Sequence, residues 1–242
     1  MFGDAVEQAI RDHAINCYPQ ESCGLVIKNF GYYPCKNIAD NPENSFLISA
    51  KQQIEAEKKG KILAIIHSHP DGPDHPSESD MTQQVASGLP WGIVCTFAKG
   101  CLKTVWFGDK AEKAPLIGRG FRHGVTDCYA LIRDWYSSEK NILLTEFPRN
   151  WEWWNEKQNL YLDGFTKASF IQVDDEPQIG DVFFAQIRSN VPNHGGVYLG
   201  NGLILHHLAA REAVDLSRLS VREPVHRWQK YITHWVRYAE KS

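Results

Sequence analysis

Residues 64–80 read AIIHSHPDGPDHPSESD. They follow from the β-branched run KILAII (61–66), which has the composition of a buried strand, and they place two histidines two positions apart at its end. Side chains at i and i+2 of a strand leave the same face, so His67 and His69 can share one ion. Beyond a loop come Ser77 and Asp80, three apart at the start of a helical pattern, SESDMTQQVASG (77–88), where i and i+3 side chains are neighbours. Two imidazoles and a carboxylate leave zinc a fourth position for water, which distinguishes a catalytic from a closed structural site. Water held there has a pKa of about 7. A general base is still needed, and Glu21 in YPQESCGL (18–25) is the candidate; Ser77 is the candidate hydrogen-bond donor to a developing oxyanion. Taken singly, each of these residues is more often structural, because Asp and Ser favour helix starts and histidine is common in loops. His75 lies outside the spacing and is expected to be solvated.

Working outward, Ala5, Val6, Ile10, Ala14 and Ile15 have close to helical spacing over residues 4–16, and CYPQ breaks that helix before the strand-like CGLVI (23–27). Residues 51–60 form a second helical segment, and WGIVCTF (91–97) and LKTVWF (102–107) repeat the strand pattern. Residues 1–108 are therefore expected to be a mixed α/β domain. The charged, then Pro- and Gly-punctuated GDKAEKAPLIGRG (108–120) marks a linker, placed at 109–118. TDCYALIRDWY (126–136) then has a helical apolar face at 128, 131, 132 and 135 with Thr126 or Asp127 as its cap. GDVFFAQI, GGVYLG and LILHHL follow as strands, so 119–242 is expected to be an α+β domain.

Composition narrows the function classes. With 242 residues, 43% hydrophobic and 23% charged, the chain is ordinary globular protein with room for two domains. A net charge of −3 and the lack of any Lys/Arg block argue against nucleic acid or an anionic membrane surface as a partner. No stretch approaches the roughly 18 apolar residues of a membrane span, and the N-terminus is charged from Asp4 without an apolar signal region, so synthesis and folding in the cytosol are expected. Cysteines 17, 23, 35, 95, 101 and 128 form no C-x-x-C pair and are expected to be reduced and mostly buried. Aromatics concentrate in NWEWWNEKQNLY (150–161), either as a binding surface or, more commonly, as core.

The second half carries another reactive pattern. Cys128 sits at the start of its helix, where the dipole and free N–H groups are expected to lower the thiol pKa. His194 is the candidate base, and His206 and His207 compete to orient it. A two-residue Asn201-Gly202 turn would set His207 opposite Gly196, on the face of His194; a three-residue loop, Gly200-Asn201-Gly202, would set His206 there. Both registers are compatible with the residues.

The H-x-H, seven-residue, S-x-x-D pattern with Glu21 in PQESCG resembles the JAMM metalloprotease motif in every position, over residues 1–105. The resemblance implies a zinc-dependent hydrolase of peptide or isopeptide bonds, with His67, His69 and Asp80 as ligands, Glu21 as acid/base and Ser77 as oxyanion donor. TDC opening a helix, followed by HGGVYLGNGLILH (194–206), resembles the papain-like NlpC-type cysteine peptidases over residues 115–242. There the third residue falls twelve after the histidine, which implies His206. Asp127-Cys128-Tyr129-Ala130 departs from that family's common Asp-Cys-Ser-Gly, a change expected to reshape the cleft beside the nucleophile. This resemblance implies hydrolysis of bacterial peptidoglycan peptides through an acyl-enzyme on Cys128. The two halves in this order resemble the tail-tip assembly proteins of long-tailed bacteriophages, the lambda protein K type. That implies tail-tip proteins as partners, a place in the host cytoplasm during assembly and in the tail tip of the virion, and local opening of the host wall.

Overall fold

The computed structural model describes residues 1–156, 158–209 and 211–239. The chain divides into two compact units, Met1–Glu112 and Lys113–Ser242. The stretch expected to be a linker is shared between them. Lys110 donates to the Gly88 carbonyl at 2.7 Å and Glu112 pairs with the N-terminal ammonium at 3.7 Å, whereas Lys113 pairs with Asp134 at 3.4 Å and the Gly118 amide donates to Ser220 at 2.9 Å.

The first unit runs α1 (Asp4–Cys17), β1 (Cys23–Ile27), β2 (Gly31–Cys35), α2 (Ala50–Glu57), β3 (Ile62–Pro70), α3 (Glu78–Ser87), β4 (Trp91–Phe97), β5 (Gly100–Cys101) and β6 (Val105–Phe107). Its sheet has the order β2-β1-β3-β4-β5, with β6 also on β4. The pattern LKTVWF is thus shorter than expected as a strand. The β1–β3 pair is antiparallel and β3–β4 parallel, so α3 is the crossover helix that parallel neighbours require. Ile10 and Ala14 of α1 pack with Val26, Ala64, Ile66 and Val94 on one face, while Ala56 and Ile48 join Cys23, Leu25, Ile27 and Cys35 on the other. Ile15, counted in the helix's apolar face, is instead 42% exposed.

The second unit runs β7 (Gly120–Arg122), α4 (Cys128–Glu139), α5 (Leu160–Gly164), β8 (Phe170–Val173), β9 (Val182–Ala185), β10 (His194–Gly200), β11 (Leu203–His206), β12 (Val214–Leu219), β13 (Val221–Pro224) and β14 (Ile232–Tyr238). Six strands form a sheet in the order β13-β11-β10-β9-β14-β8, and β7 pairs separately with β12. Leu131, Ile132 and Trp135 of α4 pack against Val182, Phe184, Val197 and Leu205 of the large sheet. The aromatic segment contributes mainly to this core: Trp153 and Tyr161 are buried, while Trp151 stands edge-on to Phe121 and His123.

The start of α4 rests on a buried ionic network. Asp127 caps the helix by accepting from the Ala130 amide at 2.9 Å, and also accepts from the Gly124 amide at 2.8 Å and Arg149 Nη2 at 2.7 Å. Burial alone would raise its pKa, but Arg149, His123 and these hydrogen bonds hold it well below the usual carboxylate range. A depressed carboxyl stabilises the fold above its unfolded pKa of about 4, and that contribution is lost as pH falls through the folded value. Arg149→Met would leave the Asp127 charge buried without its main partner. An unfolding free energy lower by about 3–5 kcal/mol at pH 7 is expected, measured by denaturant titration, with a difference that shrinks as the solution is acidified.

Candidate functional sites

The first site forms where β3 ends and α3 begins. His67 pairs in register with Cys23, and His69 leaves the same face, so both rings meet the carboxylate that the first turn of α3 delivers. The two Nε2 atoms are 2.9 Å apart; Asp80 lies 3.3 Å from His67 and 3.6 Å from His69. All three side chains are buried, and the three form a group able to hold a metal ion. Tetrahedral zinc with bonds near 2.0–2.1 Å sets donor atoms about 3.3 Å apart; the ring nitrogens here are closer, and Asp80 offers Oδ1 to His67 and Oδ2 to His69. His69 Nδ1 donates to the Pro73 carbonyl at 2.8 Å, which leaves its Nε2 lone pair aimed at the cluster. Phe46 stacks on the His67 ring at 4.6 Å between centroids.

Electrostatics sort the two carboxyls of this site. Burial opposes the charge of Asp80, yet hydrogen bonds with His67, His69 and Ser77 hold it well below the carboxylate range. Glu21 is pushed up to about 7 by burial, with His69 pulling it down and Asp80 adding to the rise. A carboxyl near neutrality is suited to proton transfer. β1 places it, because Ser22 and Ser68 exchange hydrogen bonds just beyond the paired strands. Ser77 is the N-cap of α3: its hydroxyl accepts from the Asp80 amide at 3.1 Å and donates to Asp80 Oδ2 at 2.7 Å. Donation to an oxyanion would require that proton to turn away from Asp80. His75 is half-buried rather than solvated, with Nδ1 3.1 Å from the Pro76 carbonyl, and lies outside the cluster.

The second site gathers residues from α4, β10 and β11. The turn between the strands is neither of the simple alternatives. Asn201 and Gly202 make a two-residue turn with φ of 52° and 71°, closed by the pair Gly200↔Leu203, and a bulge between Tyr198 and Gly200 then shifts the register so that Gly196 faces His206. His206 therefore lies diagonally beside His194, with Nδ1 3.1 Å from His194 Nε2. Gly196 makes that approach possible: a Cβ there would sit 2.4 Å from the Leu205 carbonyl and 2.7 Å from His206 Cβ. His207 points the other way, to the carbonyls of Thr126 and Arg218.

Cys128 is the first residue of α4, but its thiol is not acidic. Burial and the Asp127 carboxylate push it up to about 11, and the Tyr161 hydroxyl, Arg149 and the Gly195 amide offset only part of that rise. The expectation of a lowered pKa fails because the capping carboxylate and the loss of water outweigh the helix terminus. Sγ lies 3.2 Å from Tyr161 Oη. The Gly195 amide, next to His194 in the chain, is among the groups that lower the thiol pKa. His194 is buried and held well below the usual imidazole pKa by burial and by His206, His207 and Arg218. Its Nδ1 has no hydrogen-bond partner among the described residues.

Residues 3–107 match the family model for prokaryotic homologs of the JAB domain, and residues 116–237 match the NlpC/P60 family. The tail tip assembly protein K of Escherichia phage N15 is 34% identical over 238 residues, covering 96% of this chain and 93% of its own length. The tail tip assembly protein K of Escherichia phage lambda is 40% identical over 186 residues, 76% of this chain and 85% of its own. The chain belongs to the tail tip assembly protein K family. Its two domains are, in order, JAB-like and NlpC/P60. A crystal structure of an NlpC/P60 family protein from Bacillus cereus ATCC 10987 aligns with 94% of this chain and 66% of its own at 10% identity, with a TM-score of 0.31. No helix among the described residues is long and apolar enough to cross a membrane.

In this tail tip assembly K family chain, several residues around the thiol carried no signal in the sequence. Tyr161 reaches Cys128 from α5, Arg149 braces the helix cap from a loop, and Glu223 meets His206 from β13. Glu223 is reached across an intervening strand, β12, that pairs elsewhere with β7, so no spacing rule could have linked it to His206.

Proposed function

We propose that this tail tip assembly K family member is a two-site hydrolase that assembles with phage tail-tip proteins and opens peptide links of the bacterial cell wall. The observation that carries the thiol site is the buried His194 ring, bonded through Nε2 to His206 and without a hydrogen-bond partner at Nδ1 among the described residues. In this reading the Cys128 proton passes to His194 Nδ1 as sulfur attacks the scissile carbonyl. His194 then delivers that proton to the leaving amine, leaving a thioester that water hydrolyses with His194 again taking a proton. The peptidoglycan-peptide substrate class and the tail-tip role are carried over from the family and from the names of its phage N15 and lambda members.

The first site is assigned to peptide or isopeptide hydrolysis with zinc held by His67, His69 and Asp80. Zinc there supplies a Lewis acid that polarises a carbonyl and makes water acidic enough to act near neutral pH. Glu21 takes and returns the proton, and Ser77, once released from Asp80, donates to the oxyanion. Host cytoplasm during assembly, then the virion tail tip, is the corresponding location.

Mass spectrometry of purified peptidoglycan after incubation with the wild type, His194→Ala and chelator-treated protein tests the thiol reading. Fragments absent with His194→Ala and still made after chelation are expected. If a folded, zinc-loaded wild type makes none, the protein is an assembly factor with vestigial sites.

A further inference from the structure

Beyond the three residues of the thiol site, the imidazole chain continues. His206 Nε2 lies 2.7 Å from Glu223 Oε1, and the same oxygen accepts from Trp228 Nε1 at 2.8 Å. Building on the reading of Cys128 and His194 as nucleophile and base, we propose that Glu223 is a positioning residue: by holding the Nε2 proton of His206, it fixes His194 in its Nε2–H tautomer and leaves Nδ1 as the basic atom.

Proton counting carries the argument. An ionised carboxylate only accepts, so His206 Nε2 must donate to Glu223. A neutral imidazole has one N–H, so His206 Nδ1 then offers only a lone pair. The atom opposite it, 3.1 Å away, is His194 Nε2, which must therefore carry the proton of that ring. His194 Nδ1 is left as a buried lone pair, and it is the atom without a partner among the described residues. Without the carboxylate, His206 can carry its proton on Nδ1 instead. It would then donate to His194 Nε2, driving the His194 proton onto Nδ1, and the ring could not accept from a thiol.

The sheet supplies the geometry. His206 pairs with Val221 and Ile204 with Glu223, so Glu223 is the diagonal neighbour of His206 on the same face of β11 and β13. Trp228 covers the relay, its ring centroid 4.4 Å from His206 and 5.4 Å from His194. The charged and titratable groups around the pair are His207 and Arg218, which disfavour a doubly protonated His206, and Glu223, which favours one; Arg227 reaches the far oxygen of Glu223 at 3.3 Å. Burial, together with His207 and Arg218, outweighs Glu223 and lowers the His206 pKa, in keeping with a neutral ring.

The test uses the full chain labelled with ¹⁵N-histidine, with ring tautomers read from long-range ¹H–¹⁵N spectra at pH 7. In the wild type, His194 and His206 should both be Nε2–H. Glu223→Ala should shift His194 toward Nδ1–H and lower kcat on cell-wall peptides about tenfold to hundredfold with KM little changed, the scale of losing an outer-shell partner. Glu223→Gln should keep the wild-type tautomer, because its amide oxygen can accept the same two bonds, and so should retain more activity than Glu223→Ala. An unchanged His194 tautomer in Glu223→Ala, with or without loss of activity, overturns the proposal. A wild type that has the expected tautomers yet cuts nothing supports the relay while refuting the hydrolase reading, so the two failures are distinguishable.

Discussion

Cys128→Ala is expected to abolish release of peptide fragments from peptidoglycan, with kcat/KM falling at least about a thousandfold, because the remaining groups bind and polarise but supply no nucleophile. The resting state of that nucleophile gives the prediction a second measurement. Burial and Asp127 push the Cys128 thiol up to about 11, while His194 is held well below the usual imidazole value, so at pH 7 both are neutral. The thiolate must therefore form as the reaction proceeds. Its fraction at rest is small at neutral pH and grows as pH rises toward 11. Alkylation of Cys128 by iodoacetamide should accordingly be slow at pH 7 and accelerate steadily through alkaline pH. A rate already at its plateau below about pH 7.5, as for thiols paired with an imidazolium, would show that a thiolate–imidazolium pair pre-exists. Mass spectrometry of the modified peptide separates Cys128 from Cys17 and Cys101, the other cysteines that are not fully buried.

Asp80→Asn is the second large effect. The amide keeps an acceptor for the Ser77 amide and so preserves the cap of α3, but it removes the negative charge between two imidazoles. Zinc affinity should fall by more than the 10–100-fold typical of a lost outer-shell partner, because a ligand itself is weakened. Zinc at a hundred times its Kd should stabilise the wild type by about 2.7 kcal/mol and the variant by much less. Metal content by plasma mass spectrometry and thermal unfolding with and without zinc check this. Equal zinc stoichiometry and equal stabilisation in the two proteins would remove Asp80 from the ligand set.

Much of each site was legible because short-range geometry determines it. His67 and His69 share a face by the pleat of a strand, and Asp80 stands three residues into a helix that Ser77 caps, so the H-x-H and S-x-x-D spacings were enough to bring three donors together. The Asp127 cap and the position of Cys128 at the head of α4 follow from equally local rules. The choice between His206 and His207 depended on one extra residue in a hairpin. The Asn201-Gly202 turn favoured one register, and the bulge before Gly200 reversed the outcome, a combination of two devices that turn chemistry does not specify.

By itself, then, the sequence determined the order of the two domains, the strand and helix ends that bring together a group able to hold a metal ion, and the position of a cysteine at the head of a helix. Tertiary structure decided what depends on burial and on register between distant segments. It raised the pKa of the Cys128 thiol, through desolvation and the charge of Asp127. It raised Glu21 toward neutrality, selected His206 and brought Glu223 to the end of the imidazole chain. Desolvation and cross-strand register are sums over residues far apart in the chain, so they exist only once the chain has folded.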